Sequence, residues 1–137
     1  MGNGQKLKHN LRHFYLMKKQ TKSSLTRKLD KECSRIVRGR GLCEWGISNC
    51  SGADYSKLQT AHIYSRTYRS VRWDLKNMLC LCAGCHFFGH KNPLQFAEFV
   101  KLWLGDYEYE SLKIRAIAIK RWTIPDMQSL LTTLEEL

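Results

Sequence analysis

Leu58-Gln-Thr-Ala-His62-Ile-Tyr-Ser-Arg66, followed downstream by Asn77-Met-Leu-Cys80-Leu-Cys82-Ala-Gly-Cys85-His86-Phe-Phe-Gly-His90, is the stretch whose reading decides the fold. Leu58–Tyr64 and Asn77–Leu81 have the length and apolar character of two short strands. Residues 65–76 form a basic connection between them, carrying Arg66, Arg69 and Arg72. A helix is expected to begin around Gly84–His86, giving a strand–strand–helix unit. Cys82-x-x-Cys85 sits at the strand–helix junction, where a tight turn can hold two thiolates on one metal and Gly84 relieves the strain. On the helix, the i, i+4 spacing of His86 and His90 puts both imidazoles on one face.

Working outward, Cys43 and Cys50 supply a second cysteine pair, with a six-residue gap wider than a usual knuckle. Four thiolates around a tetrahedral ion at ~2.3 Å favour zinc, and such a closed set is structural. The alternative is four reduced, buried thiols. Cys80 belongs to the strand and lacks knuckle spacing. Cys33 lies on an apolar helical stripe and reads as a small buried hydrophobe. In a reducing cytosol, the expected compartment, six cysteines are better read as metal ligands than as disulfides.

A lone strand histidine such as His62 is usually a satisfied core residue. Its company argues for chemistry. Neutral His62 could take a proton from water. The Asn77 amide could hold that ring, or a neighbouring carbonyl, in orientation. A divalent ion shared by His86 and His90 could stabilise charge on a phosphate and on a departing 3′ oxygen.

Taken as a set, His62, Asn77 and His86 resemble the HNH (ββα-metal) nuclease motif. Ala61-His-Ile-Tyr-Ser-Arg66, Val71-Arg-Trp-Asp74, Asn77 and Cys82-x-x-Cys85 are similar to the phage NinG/Rap recombination endonucleases. The resemblance covers about residues 29–105. It implies an α+β fold, a zinc-bound treble-clef-like ββα-metal core with flanking α-helices. It also implies a metal-dependent DNA endonuclease in which His62 is the general base, Asn77 orients it and His86 binds the catalytic metal. His90 falls where many members carry a second ligand. Mg²⁺ or Mn²⁺ is the expected catalytic ion, and the products are expected to carry 5′-phosphate and 3′-hydroxyl ends. Duplex or branched DNA, including recombination intermediates, is the implied substrate, and a bacterial host cytoplasm the implied location of a phage-encoded member. Ala61 stands where many HNH enzymes have Asp or His as a metal ligand, so that ligand is missing here or is water. His86 stands where NinG-like chains tend to have Asn.

Net charge is +11, and it is unevenly placed: residues 1–41 carry +10, residues 42–92 carry +3 and residues 93–137 carry −2. A basic arm beside a compact site points to a polyanion, most simply nucleic acid. Arg66 is the expected phosphate clamp, with Arg69, Arg72, Arg35 and Arg38 as further contacts. Phosphate contacts position a chain without reading sequence, so weak sequence preference and strong salt dependence are expected. No run approaches the ~18 apolar residues of a membrane span, and no signal segment opens the chain.

The chain divides into a basic arm over 1–22, a nuclease core with its preceding basic helix over 23–105, and a helical extension over 106–137. Leu25, Leu29, Cys33, Ile36 and Val37 predict a helix opened by Ser23-Ser24 and stopped at Gly39. Asn92-Pro93 is expected to cap the next helix, whose core face is Phe96, Phe99, Val100 and Trp103. A further helix is expected over about Tyr109–Trp122, using Leu112, Ala116 and Ile119. The last starts at Pro125 and buries Met127, Leu130, Leu131, Leu134 and Leu137. Nicking or double-strand cutting depends on oligomeric state, with a homodimer one option. A non-catalytic zinc module that only binds nucleic acid shares the cysteines and the arm, but leaves the histidine–asparagine set without a reason. A thiol-redox role has less support, because no cysteine has a partner base.

Overall fold

A computed structural model of the chain describes residues 20–47 and 50–137. The expected basic arm lies outside the described residues as far as residue 19. Among the described residues the architecture is α+β: five α-helices and one antiparallel pair of strands.

Helix α1 (Lys22–Arg38) opens on a capping box in which the Thr21 hydroxyl accepts the Ser24 N–H and the Ser24 hydroxyl accepts the Thr21 N–H. The cap is therefore two residues earlier than Ser23-Ser24 suggested. Leu25, Leu29, Cys33 and Val37 are buried on one face, as their spacing predicts, and Ile36 is half-buried beside them. Burial pushes the Cys33 thiol up to about 12, the behaviour of a small apolar side chain. The five-residue strands β1 (Leu58–His62) and β2 (Met78–Cys82) pair in register, with Ala61 opposite Leu79 and His62 opposite Met78. β2 is buried at every position, because α1 covers one side and the cysteine loop the other.

Helix α2 (Ala83–Lys91) follows β2 without a linker. The Cys82 sulfur accepts the Cys85 N–H and so caps the helix. Asn92 and Pro93 occupy the cap and first-turn positions of α3 (Pro93–Leu104), as the sequence suggested, but the Asn92 side chain makes no capping hydrogen bond to that helix. Its amide donates to the Phe88 carbonyl instead, so it closes the end of α2. Trp45, from the cysteine loop, stacks on Phe99 at 5.0 Å and lies 5.5 Å from both Phe88 and Phe96. This packing needs Gly89: a Cβ there would come within 3.1 Å of the Trp45 ring.

Helix α4 (Asp106–Ile117) ends five residues before the expected Trp122. Ala118 turns extended, leaving Ile119 93% exposed rather than packed. The cause lies at Trp122, whose indole N–H donates to the Arg69 carbonyl at 2.9 Å and whose ring meets Trp73 edge-on. Only a straightened segment brings it there. Helix α5 (Ile124–Glu135) starts on a Thr123–Asp126 capping box and buries Met127, Leu131 and Leu134 against α1. Leu130 is half-buried and Leu137 is exposed. No helix among the described residues is long and apolar enough to cross a membrane.

Candidate functional site

The four cysteines converge. The sulfurs of Cys43, Cys50, Cys82 and Cys85 all lie within 4.8 Å of one another. Cys82 and Cys50 are 3.8 Å apart, far too long for a disulfide and close to the ~3.8 Å edge of a tetrahedron built on ~2.3 Å metal–sulfur bonds. The donor set therefore fits a metal ion. The wide gap between Cys43 and Cys50 is taken up by a loop that doubles back: Gly46 adopts φ +67°, and the Cys43 N–H donates to the Gly52 carbonyl. Amides point at the sulfurs, with the Gly52 N–H 3.3 Å from Cys50 and the Cys85 N–H 3.4 Å from Cys82. Burial raises the Cys82 thiol. The Cys85 and Ser51 amides and the neighbouring thiols outweigh it and pull the group down to about 6, toward the thiolate a metal needs. Cys80 is fully buried on β2 and stands outside this group.

Arg40 and Glu44 fasten the cysteine loop to the strands, and the sequence reading missed both. Arg40 donates to Glu44 at 3.1 Å and to the Met78 carbonyl at 3.0 Å. Glu44 accepts the Cys80 N–H at 2.7 Å. Their i, i+4 spacing was visible, but the backbone partners were not.

His62 closes β1 and is half-buried in a cleft of about 370 Å³ that is also lined by Asp30, Gln59, Arg38 and Arg66. Its Nε2 lies 3.3 Å from the Arg72 carbonyl. A carbonyl only accepts, so Nε2 carries the proton and Nδ1 keeps its lone pair. Burial is the largest influence on the ring and disfavours its charged form. The Arg66 and Arg72 charges act the same way, and the pKa falls below the usual histidine value.

Asn77 is completely buried. Its Oδ1 accepts the Tyr64 N–H at 2.7 Å, and its Nδ2 donates to the Tyr64 and Val71 carbonyls at 2.9 and 3.0 Å. It therefore ties both limbs of the 63–76 connection together and makes no hydrogen bond to the His62 ring. Its effect on His62 runs through the backbone: Val71 adjoins Arg72, whose carbonyl holds the ring. The far side of the connection is clamped by α4, where Val71 packs on Leu112 and Ala116 and Arg115 pairs with Asp74 at 2.9 Å. Replacing Asn77 with Ala is expected to lower stability by about 3 kcal/mol, because three backbone groups, in one buried and two partly buried hydrogen bonds, lose their partner. Urea denaturation measures this, and a loss below about 1 kcal/mol would mean that the loop holds itself.

His86 and His90 lie side by side on α2 with ring centroids 4.8 Å apart. His86 Nδ1 is 2.8 Å from the Gln59 side-chain oxygen. Nδ1 therefore donates, and Nε2 is left as a potential metal donor. An imidazole ligand commonly has its second nitrogen tethered in this way. The pKa of His86 is lowered by burial first and then by the charges of His90 and His62.

The arginines divide. Arg72, expected to meet nucleic acid, is held bidentately by Asp30, Nε to Oδ1 at 3.1 Å and Nη2 to Oδ2 at 2.8 Å, and Asp30 also accepts the Trp73 indole N–H at 2.8 Å. Burial raises the Asp30 carboxyl, and its bonds to Arg72 and Trp73 more than reverse that. The Arg72 charge is therefore matched internally. Arg35 pairs with Glu32 and reaches the Leu134 carbonyl, joining α1 to α5. Arg38 and Arg66 line the His62 cleft. Arg38 lies over the Tyr55 ring, and its Nε is buried with no partner among the described residues. Arg69 is exposed elsewhere, on a second cleft. No family model matches the chain, and no curated protein or solved structure matches it either.

Proposed function

We propose that the chain is a metal-dependent DNA endonuclease of HNH type, with His62 as general base. The observation that carries this reading is the tautomer imposed on His62. Its Nε2–H is engaged by a backbone carbonyl, its Nδ1 has no hydrogen-bond partner among the described residues, and its surroundings favour the neutral ring. Nδ1 takes a proton from water as the water oxygen bonds to phosphorus and the P–O3′ bond breaks. The 3′ oxygen is protonated from solvent, leaving a 5′-phosphate and a 3′-hydroxyl. Arg66 and Arg38 hold the phosphate, and the unpartnered Arg38 Nε is a donor that such an anion would satisfy. His86 and His90 would hold a divalent ion, Mg²⁺ or Mn²⁺, which would supply electrostatic stabilisation of the phosphate and of the departing oxygen. Asn77 is a positioning residue. The four cysteines hold a structural zinc at the root of α2, fixing that helix against the strands in a treble-clef-like ββα core.

Purified, zinc-loaded protein should convert supercoiled plasmid to open-circular or linear DNA in Mg²⁺ or Mn²⁺. EDTA, added briefly enough to spare the cysteine-bound ion, should stop it. Salt-sensitive binding without cutting of plasmid or of a four-way junction, in any divalent metal, would replace this reading with that of a non-catalytic zinc-containing binding module.

A further inference from the structure

A second cleft, of about 710 Å³, adjoins the first. The two meet at the Asp30–Arg72 pair, since Asp30 lines the His62 cleft and Arg72 lines the other. Helix α1 runs past both. Lys22 and Thr26 line the second cleft, and Asp30, Ser34 and Arg38 line the first. These residues form one row of steps of four that winds about 40° around the helix per step, and Lys22 to Arg38 spans about 24 Å along the axis.

The second cleft is cationic. Lys22, Arg69, Lys120 and Arg121 line it, and no carboxylate does. None of these four is in an ion pair among the described residues. Asp126 feels the Lys120 charge, but its carboxylate is engaged by the Thr123 N–H. Residues 93–137 are net negative with only five cations, so the adjacent placing of Lys120 and Arg121 concentrates charge that the segment otherwise lacks. The wall behind them is anchored by Trp122. Trp122 is fixed by the Arg69 carbonyl and by the edge of Trp73, 5.2 Å away, and Lys120 Nζ sits 4.7 Å from the Trp122 ring centroid. The extended segment between α4 and α5 exists to make this anchor, and the anchor presents the two cations.

We propose that this second cleft is a subsite for the phosphodiester backbone of nucleic acid several base pairs from the bond under attack. It rests on the nucleic-acid reading of the His62 cleft and extends it. The two clefts adjoin at the Asp30–Arg72 pair, so one duplex crossing that pair reaches both, and the roughly 24 Å from Lys22 to Arg38 corresponds to roughly seven base-pair steps at 3.4 Å each. Contacts of this kind carry no sequence information and set affinity and orientation.

The test is a salt titration of binding to a 20-base-pair duplex, comparing the parent protein, Lys120→Gln/Arg121→Gln, and Lys101→Gln/Lys113→Gln as a charge-matched control. Lys101 and Lys113 are paired with Asp106 and Glu110 on the surface. The Lys120/Arg121 variant should lower the slope of log affinity against log salt by about 2, at about 0.9 per phosphate released, and the control should leave it unchanged. Equal slopes in all three proteins, or an equal fall in both variants, would overturn the subsite and leave the nuclease reading standing. A parent protein that binds no duplex at low salt overturns both. Loss of plasmid cutting in the Lys120/Arg121 variant with an unchanged slope would also remove the subsite, because the effect would not be one of binding.

Discussion

Replacing His62 with alanine is expected to lower plasmid cleavage about 10²- to 10⁴-fold, the usual contribution of a positioned general base, while DNA affinity stays essentially unchanged. Affinity is spared because His62 is neutral near pH 7 and neutralises no phosphate. Burial and the nearby arginines lower its pKa from the ordinary histidine value. A general base acts through the unprotonated ring. The rate should therefore climb with pH through that lowered value, below 6.5, and be flat through neutrality. Acid inactivation should precede unfolding. A His62→Ala protein that keeps its melting temperature and cuts at the parental rate would remove the base assignment. A parental rate still rising steeply between pH 7 and 8 would show that a different group is titrating.

That experiment depends on a residue whose environment could be read only in part from sequence. The strand carrying His62 was legible, because Leu58 and Ala61 are buried positions of a short run bounded by polar residues. Its hydrogen-bond partner was not. The Arg72 carbonyl reaches His62 only because Asn77 and α4 close the connection, and those contacts join residues 6 to 46 positions apart in the chain. The same holds for Gln59, whose side chain meets His86 across 27 residues. Sequence offers no local signal for either.

The charged residues show the limit more sharply. Arg66, Arg69 and Arg72 follow one another at spacings of three and look equivalent in the sequence. The fold sends them to three fates: the His62 cleft, the second cleft, and an internal pair with Asp30. Asp30 is the deciding residue, and it sits among cations on α1 where it reads as an ordinary surface charge. By contrast, the α1 and α5 stripes were legible, since helical periodicity alone places Leu25, Leu29, Met127 and Leu131 on buried faces. The end of α4 was not, because Trp122 is pulled away by a tertiary hydrogen bond that outweighs the local helical pattern.

Stripping the metal from the four-cysteine site is expected to have the largest effect on the folded state. Much of the core, from α1 to α5, is apolar and packs without thiolates. The strand–helix junction is different. Cys82 ends β2 and caps α2, Cys85 lies in the first turn of α2, and Cys43 and Cys50 arrive on a loop with little regular structure. Without an ion, four sulfurs would face one another within 4.8 Å with nothing to bind them together, and the loop that positions Trp45 would lose its anchor. Structural zinc supplies about 10–16 kcal/mol in small finger peptides. Even about 5 kcal/mol here would lower the melting temperature by roughly 15–25 °C in a domain of this size. Elemental analysis should find one zinc per chain. Cys82→Ser, or prolonged treatment with a strong chelator, should release it and produce that drop, with α-helical circular dichroism only partly lost. Cys80→Ser and Cys33→Ser should keep the metal, because neither sulfur belongs to the cluster. Metal retained in Cys82→Ser and lost in Cys80→Ser would transfer the site to a different ligand set. A parent chain that carries no metal and melts identically with and without chelator would reduce the four cysteines to buried thiols and take the treble-clef-like core with them.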